Sequence, residues 1–188
     1  MKKVFLLGAL LITSMSSMAQ WPGMRRPQKE PAENYELKAA AGHVTMTIDA
    51  ANGARIMSLK YDDTEVLSQN PQPNMYGSTF WTSPQKEWNW PPVREHDMAR
   101  YAVEQADGKI IMTSQLSEKI PLRIRKTFEV DKKNDWICIT YTITNEGKED
   151  RKVAPWEVTR VPGEGTISFN AAAKSIWPAD LMDFKQVK

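Results

Sequence analysis

The sequence predicts an all-β protein, an antiparallel β-sandwich. Three observations carry that expectation. Short segments rich in β-branched and aromatic residues alternate apolar and polar side chains with a period of two, as a half-buried strand does. Turn signals separate them, at Asn52-Gly53, Asp107-Gly108 and Asn145-Glu-Gly147. No stretch shows a convincing helical period; residues 171–176 have room for one or two helical turns at most.

Taken in order, residues 20–34 hold three prolines and no apolar period, which reads as a linker. Residues 35–188 then form the sandwich domain. In 43–48, Val44, Met46 and Ile48 face one way and His43, Thr45 and Thr47 the other. The Asn52-Gly53 turn leads to strands over 54–61 and 64–67, joined at Asp62-Asp63. Residues 68–77, with Pro71 and Pro73, read as loop. So does the long stretch 77–100, because Pro84, Pro91 and Pro92 forbid a continuous helix and spoil a central strand. Asp107-Gly108 joins a hairpin of 101–106 and 109–115. In 122–130, Leu122, Ile124, Phe128 and Val130 share one face, interrupted by Lys126. The clearest strand is 136–144, with Ile137, Ile139, Tyr141 and Ile143 along one face. Another strand falls within 151–161.

Residues 1–19 read as a secretory signal peptide. Lys2 and Lys3 precede the apolar run 4–12, and Ser17-Met-Ala19 offers a small-residue cleavage site. The run is too short to span a bilayer, and no cysteine follows it to take a lipid anchor. The expected location is therefore exported, periplasmic or extracellular. Cleavage removes two of the 25 basic residues and none of the 23 acidic ones, so the remaining charge balances. A neutral chain argues against nucleic acid and against an anionic membrane surface as partners. Cys138 is the single cysteine, so no internal disulfide can form. Two separated histidines and one cysteine do not make a zinc site of familiar spacing. No phosphate-binding or dinucleotide fingerprint occurs either, and no metal or cofactor is expected.

The chemistry concentrates in 77–100. Phe80, Trp81, Trp88 and Trp90 stand there with Arg94, His96 and Arg100. Long loops rich in aromatic and ionisable groups are commonly functional. Seven tryptophans in one chain also suit a protein that stacks indoles on sugar faces. The same tryptophans could equally plug the end of a sandwich. His96, between Glu95 and Asp97, is the candidate acid, since adjacent carboxylates favour its protonated form. Glu157, beside Trp156, is the other candidate for acid–base work, since desolvation by the indole favours its protonated form. The plain alternatives are an exposed loop histidine, and a strand carboxylate paired with Arg160 or Arg151.

Several short motifs occur in a familiar order. These are Asn52-Gly-Ala-Arg-Ile-Met-Ser-Leu-Lys60 with Glu65-Val-Leu67, then Phe80-Trp-Thr-Ser-Pro-Gln85, then His96-Asp-Met-Ala-Arg100. Ile139-Thr-Tyr-Thr-Ile-Thr-Asn145 and Ala154-Pro-Trp-Glu157 follow. Over about residues 35–170 the chain resembles galactose-mutarotase-like proteins, and within them a group of exported bacterial proteins. His96–Arg100 looks like the His-Gly-Phe-Ala-Arg motif of the hexose-phosphate branch. The resemblance implies a β-supersandwich with a carbohydrate site, in an incomplete or reduced version, and carries His96 and Arg100 over as site positions. Where that family places its acid histidine, this chain has Trp156-Glu157.

The expected function is accordingly an exported carbohydrate-binding protein without turnover in this chain. Its sugar would be held by Trp81, Trp88, Trp90, Arg94, Arg100, Trp156 and Arg160. The alternatives are an aldose epimerase using His96 and Glu157 as its acid–base pair, and a structural piece of an exported assembly whose protein partner buries the indoles.

Overall fold

The computed structural model describes residues 32–72 and 75–163. The signal peptide, most of the linker and the 171–176 segment lie outside them. Two antiparallel sheets pack face to face. The first contains β1 (Asn34–Lys38), β2 (Val44–Asp49), β3 (Arg55–Tyr61), β5 (Ser78–Ser83) and β10 (Ala154–Thr159), in that spatial order, with the short β4 (Thr64–Glu65) paired to β3. The second contains β6 (Ala102–Ala106), β7 (Lys109–Thr113), β8 (Leu122–Asp131) and β9 (Trp136–Asn145), in chain order. The fold is an antiparallel β-sandwich, and its strand alternation follows from the sequence pattern. Leu37, Met46, Ile48, Ile56 and Phe80 from one sheet meet Ile110, Met112, Ile124 and Phe128 from the other. Phe80 stacks on Tyr141 of β9 with ring centroids 4.3 Å apart.

Two expectations are corrected. The aromatic stretch is not loop throughout, because Ser78–Ser83 is a strand lying between β3 and β10. All three prolines come after it, so none interrupts its ladder; they bound the strand instead. The connection that follows holds a 3₁₀ turn at Gln85–Glu87 and one helical turn, α1, at Arg94–Asp97. Secondly, the linker gives way to the sheet before residue 35. Asn34 already pairs with Asp49, and the Glu33 amide donates to Asp49 Oδ1.

The turn between β2 and β3 anchors the connection. Gly53 has φ +74°, and an added Cβ would lie 2.1 Å from the Asp97 carbonyl oxygen, so only glycine fits under α1. Ala54 follows, also in the left-handed region at φ 47°. The Gly53 amide donates to the Ala99 carbonyl at 2.9 Å, which fastens the turn to the end of α1.

Candidate functional site

Four of the predicted site tryptophans come together. The β5–β10 register pairs Trp81 with Trp156. Their rings meet edge to face at 5.3 Å. Trp90 stands edge-on to Trp81 at 6.0 Å, and Trp88 meets both Trp81 (6.2 Å) and Trp156 (6.5 Å). These geometries suit the indole quadrupole. The four do not share one role. Trp81 and Trp88 are 8% and 4% exposed and belong to a core cluster with Val93, Ile120 and Leu122. Their indole N–H groups are spent inside, on Asp97 Oδ1 and the Thr82 carbonyl, each at 2.8 Å. Trp90 and Trp156 are 64% and 37% exposed and present their rings to solvent.

Strand alternation decides what accompanies them. Phe80 points into the sandwich, so Trp81 points out of it. On β10 the outward residues are Trp156 and Val158, with Arg160 continuing the row just past its end. Arg160 donates to Thr79 Oγ1 (3.3 Å) and to the Val158 carbonyl (3.2 Å). Arg55 lies on the same side of the sheet, its guanidinium 4.6 Å from the Tyr76 ring centre. Arg55 Nη2 is 3.6 Å from Asp97 Oδ1, with both side chains buried. Asp97 Oδ2 is buried and has no hydrogen-bond partner.

The predicted acid–base pair is corrected. Glu157 follows Trp156 on the strand and therefore takes the opposite face, where it accepts a hydrogen bond from Ser78 Oγ and stays exposed at the sheet edge. It bonds neither Arg160 nor Arg151; Arg151 pairs with Glu87 at 3.0 Å. His96 is neither a loop-surface histidine nor a protonated acid. It is 1% exposed, and its Nε2–H donates to the Leu122 carbonyl at 3.0 Å. Burial pulls its pKa below the usual imidazole value, outweighing that hydrogen bond and Glu95. Nδ1, the remaining ring nitrogen, is buried without a partner. Arg94 is exposed on α1, and Arg100 reaches away to an ion pair with Glu33.

Sequence reasoning missed Lys126 as a site residue. Its signal was visible: a lysine at an inward position of an otherwise apolar strand face. It is 2% exposed, and its ammonium donates to the Gly53 and Ala54 carbonyls at 2.8 and 3.1 Å. The rings of Tyr101 and Tyr141 lie 5.4 and 6.0 Å from Nζ. Burial lowers its pKa to about 8, although Glu157 and Asp97 favour the charged form; Arg55 adds to the lowering. Burial first, then the Glu157 carboxylate, pushes the Tyr141 phenol above its ordinary range. Among the described residues no group of three or more His, Cys, Asp or Glu side chains is placed to hold a metal ion.

No protein-family model matches the chain. No curated protein matches it. Among solved structures the chain is similar to the 4-alpha-glucanotransferase from Thermococcus litoralis, at 15% identity and a TM-score of 0.40. That alignment covers 62% of this chain and 25% of the other, so the chain spans about a quarter of that protein's length.

Proposed function

We propose that this is an exported carbohydrate-binding protein, without turnover in this chain, and that the sugar stacks on Trp90 and Trp156. The observation that carries the reading is the division within the indole cluster. Two rings are buried and hydrogen-bonded, and they brace two that face solvent. An exposed aromatic ring held by other rings is a pre-organised platform, which loses little entropy when a ligand arrives. Arg160, in the same row as Trp156, is the nearest candidate on β10 for bonding a sugar hydroxyl. The order of the sequence motifs supports grouping the chain with galactose-mutarotase-like proteins in a reduced form.

Binding is favoured over epimerisation because the proposed acid is enclosed and committed to the Leu122 carbonyl, while Glu157 takes the face of β10 opposite the indoles. The reading is tested by tryptophan fluorescence during titration with glucose, galactose, maltotriose and cellotriose. At least one sugar should quench emission, and Trp90→Ala or Trp156→Ala should abolish the response while the fold is kept. A flat titration with all four sugars, extended to a wider glycan array, counts against it.

A further inference from the structure

We propose that Lys126 is the positioning residue of the indole platform, acting from inside the sandwich through the Gly53–Ala54 turn and α1. Each link is a direct contact. The Lys126 ammonium holds the Gly53 and Ala54 carbonyls at 2.8 and 3.1 Å. The same turn donates from the Gly53 amide to the Ala99 carbonyl at 2.9 Å, and its Gly53 Cα lies against the Asp97 backbone with no room for a side chain. From α1, Asp97 Oδ1 receives the Trp81 indole N–H at 2.8 Å. Trp81 is the ring on which both exposed indoles lean, Trp90 at 6.0 Å and Trp156 at 5.3 Å.

The arrangement is an unusual use of a lysine. A methionine or leucine at this place would fill the volume without the desolvation that a buried ammonium incurs. What neither can do is hold two inward-turned carbonyls. Those carbonyls face the lysine because the turn runs through left-handed backbone at both Gly53 and Ala54. Tyr101 ties the same region a second time. Its amide donates to the Ala50 carbonyl (2.8 Å) and its hydroxyl to the His96 carbonyl (2.9 Å). Turn, α1 and lysine are therefore tied to one another by direct hydrogen bonds.

The ionisable groups facing Lys126 are Asp97 on α1, Glu157 on β10, Arg55 on β3, Tyr101 before β6 and Tyr141 on β9; it in turn acts on His96. Of these, Lys126 is the group placed to titrate near pH 8. Loss of its charge weakens the two carbonyl bonds from charge-assisted to neutral, about a halving in strength.

The test follows the Trp81 indole ¹H–¹⁵N resonance, assigned by Trp81→Phe, from pH 6.5 to 9.5. In the natural protein it should shift with a midpoint near 8, while in Lys126→Met it should start at a changed position and stay flat. Glycan affinity in the variant should fall about tenfold, the loss of one well-placed contact. A Trp81 resonance that ignores pH in the natural protein, or that is unmoved by Lys126→Met, overturns the proposal. The pH titration of the natural protein decides the matter should the variant not fold. That the indoles form a sugar platform rests on the function proposed above, but the wiring does not. If no sugar binds, the platform reading falls and the resonance still judges Lys126.

Discussion

Replacing Lys126 with methionine should change how stability responds to alkali, and the size follows from the burial of one ammonium. Lys126 has a pKa of about 8 in the folded chain against 10.5 for the unperturbed side chain. The lowering means that the unfolded chain binds more protons between those values, so folding stability rises with pH across that window. Below pH 8 the penalty of the buried charge is fully present; it is relieved as the amine neutralises. At about 1.4 kcal/mol per pKa unit, the relief is about 3 kcal/mol by pH 10.5. Contributions from groups common to both proteins cancel in the difference. Urea unfolding followed by far-UV circular dichroism at pH 7.5 and 10.5 measures it. The natural protein should gain about 3 kcal/mol on Lys126→Met between the two conditions. Parallel curves for the two proteins over the whole range would refute the reasoning, because they would place Lys126 in an environment like water.

Other substitutions separate the roles assigned above. Trp90→Ala, on the exposed ring, should leave the urea midpoint nearly unchanged, whereas Trp81→Ala should cost about 3–5 kcal/mol by opening the second core cluster. Equal losses from both would erase the distinction between platform and brace. Gly53→Ala should destabilise by at least about 2 kcal/mol, read in the same unfolding assay, because the new methyl meets the Asp97 carbonyl at a left-handed position. His96 is buried with its pKa lowered from 6.5, so its contribution is present above that value and declines as pH falls below it. His96→Gln should therefore lose less stability than the natural protein on acidification from pH 7 to 5, as thermal melts at each pH would show.

Most of the strand pattern was legible because alternation, β-branching and turn residues agree over 43–61, 101–115 and 122–145. The stretch 77–100 misled for a definable reason. Its three prolines exclude a strand only from Pro84 onward, and the strand occupies Ser78–Ser83, ending just before Pro84. A run of Ser-Thr-Phe-Trp-Thr-Ser is strand-like once it is read up to its first proline. The sequence marks Trp81, Trp88, Trp90 and Trp156 as candidates, but carries no sign of their division into buried and exposed pairs. That division depends on which indole N–H finds an internal acceptor, a property of the fold and not of spacing. His96 looked like a charged loop residue because its sequence neighbours are acidic. Its environment is set instead by Leu122, which lies 26 positions away in the chain.

Glu157 and Lys126 show why local reading runs out at the site. A Trp-Glu pair invites a joint role, yet consecutive residues on a strand serve opposite sides of a sheet. Trp156 therefore belongs to the solvent platform and Glu157 to the opposite face of β10, still exposed at the sheet edge, from where its charge favours the ammonium of Lys126 and raises the Tyr141 phenol. The lysine sits cross-strand from Tyr141 and supports the turn that carries α1. Through Asp97 its influence returns to Trp81, on the outer side of the first sheet. Inner and outer sides of the sandwich are thus joined by a route that passes around the end of β3 and not through a strand. A ligand that presses on the outer indoles should load that route through Asp97, which meets Arg55 on the outer side of the sheet and touches the Gly53 turn that Lys126 holds from within.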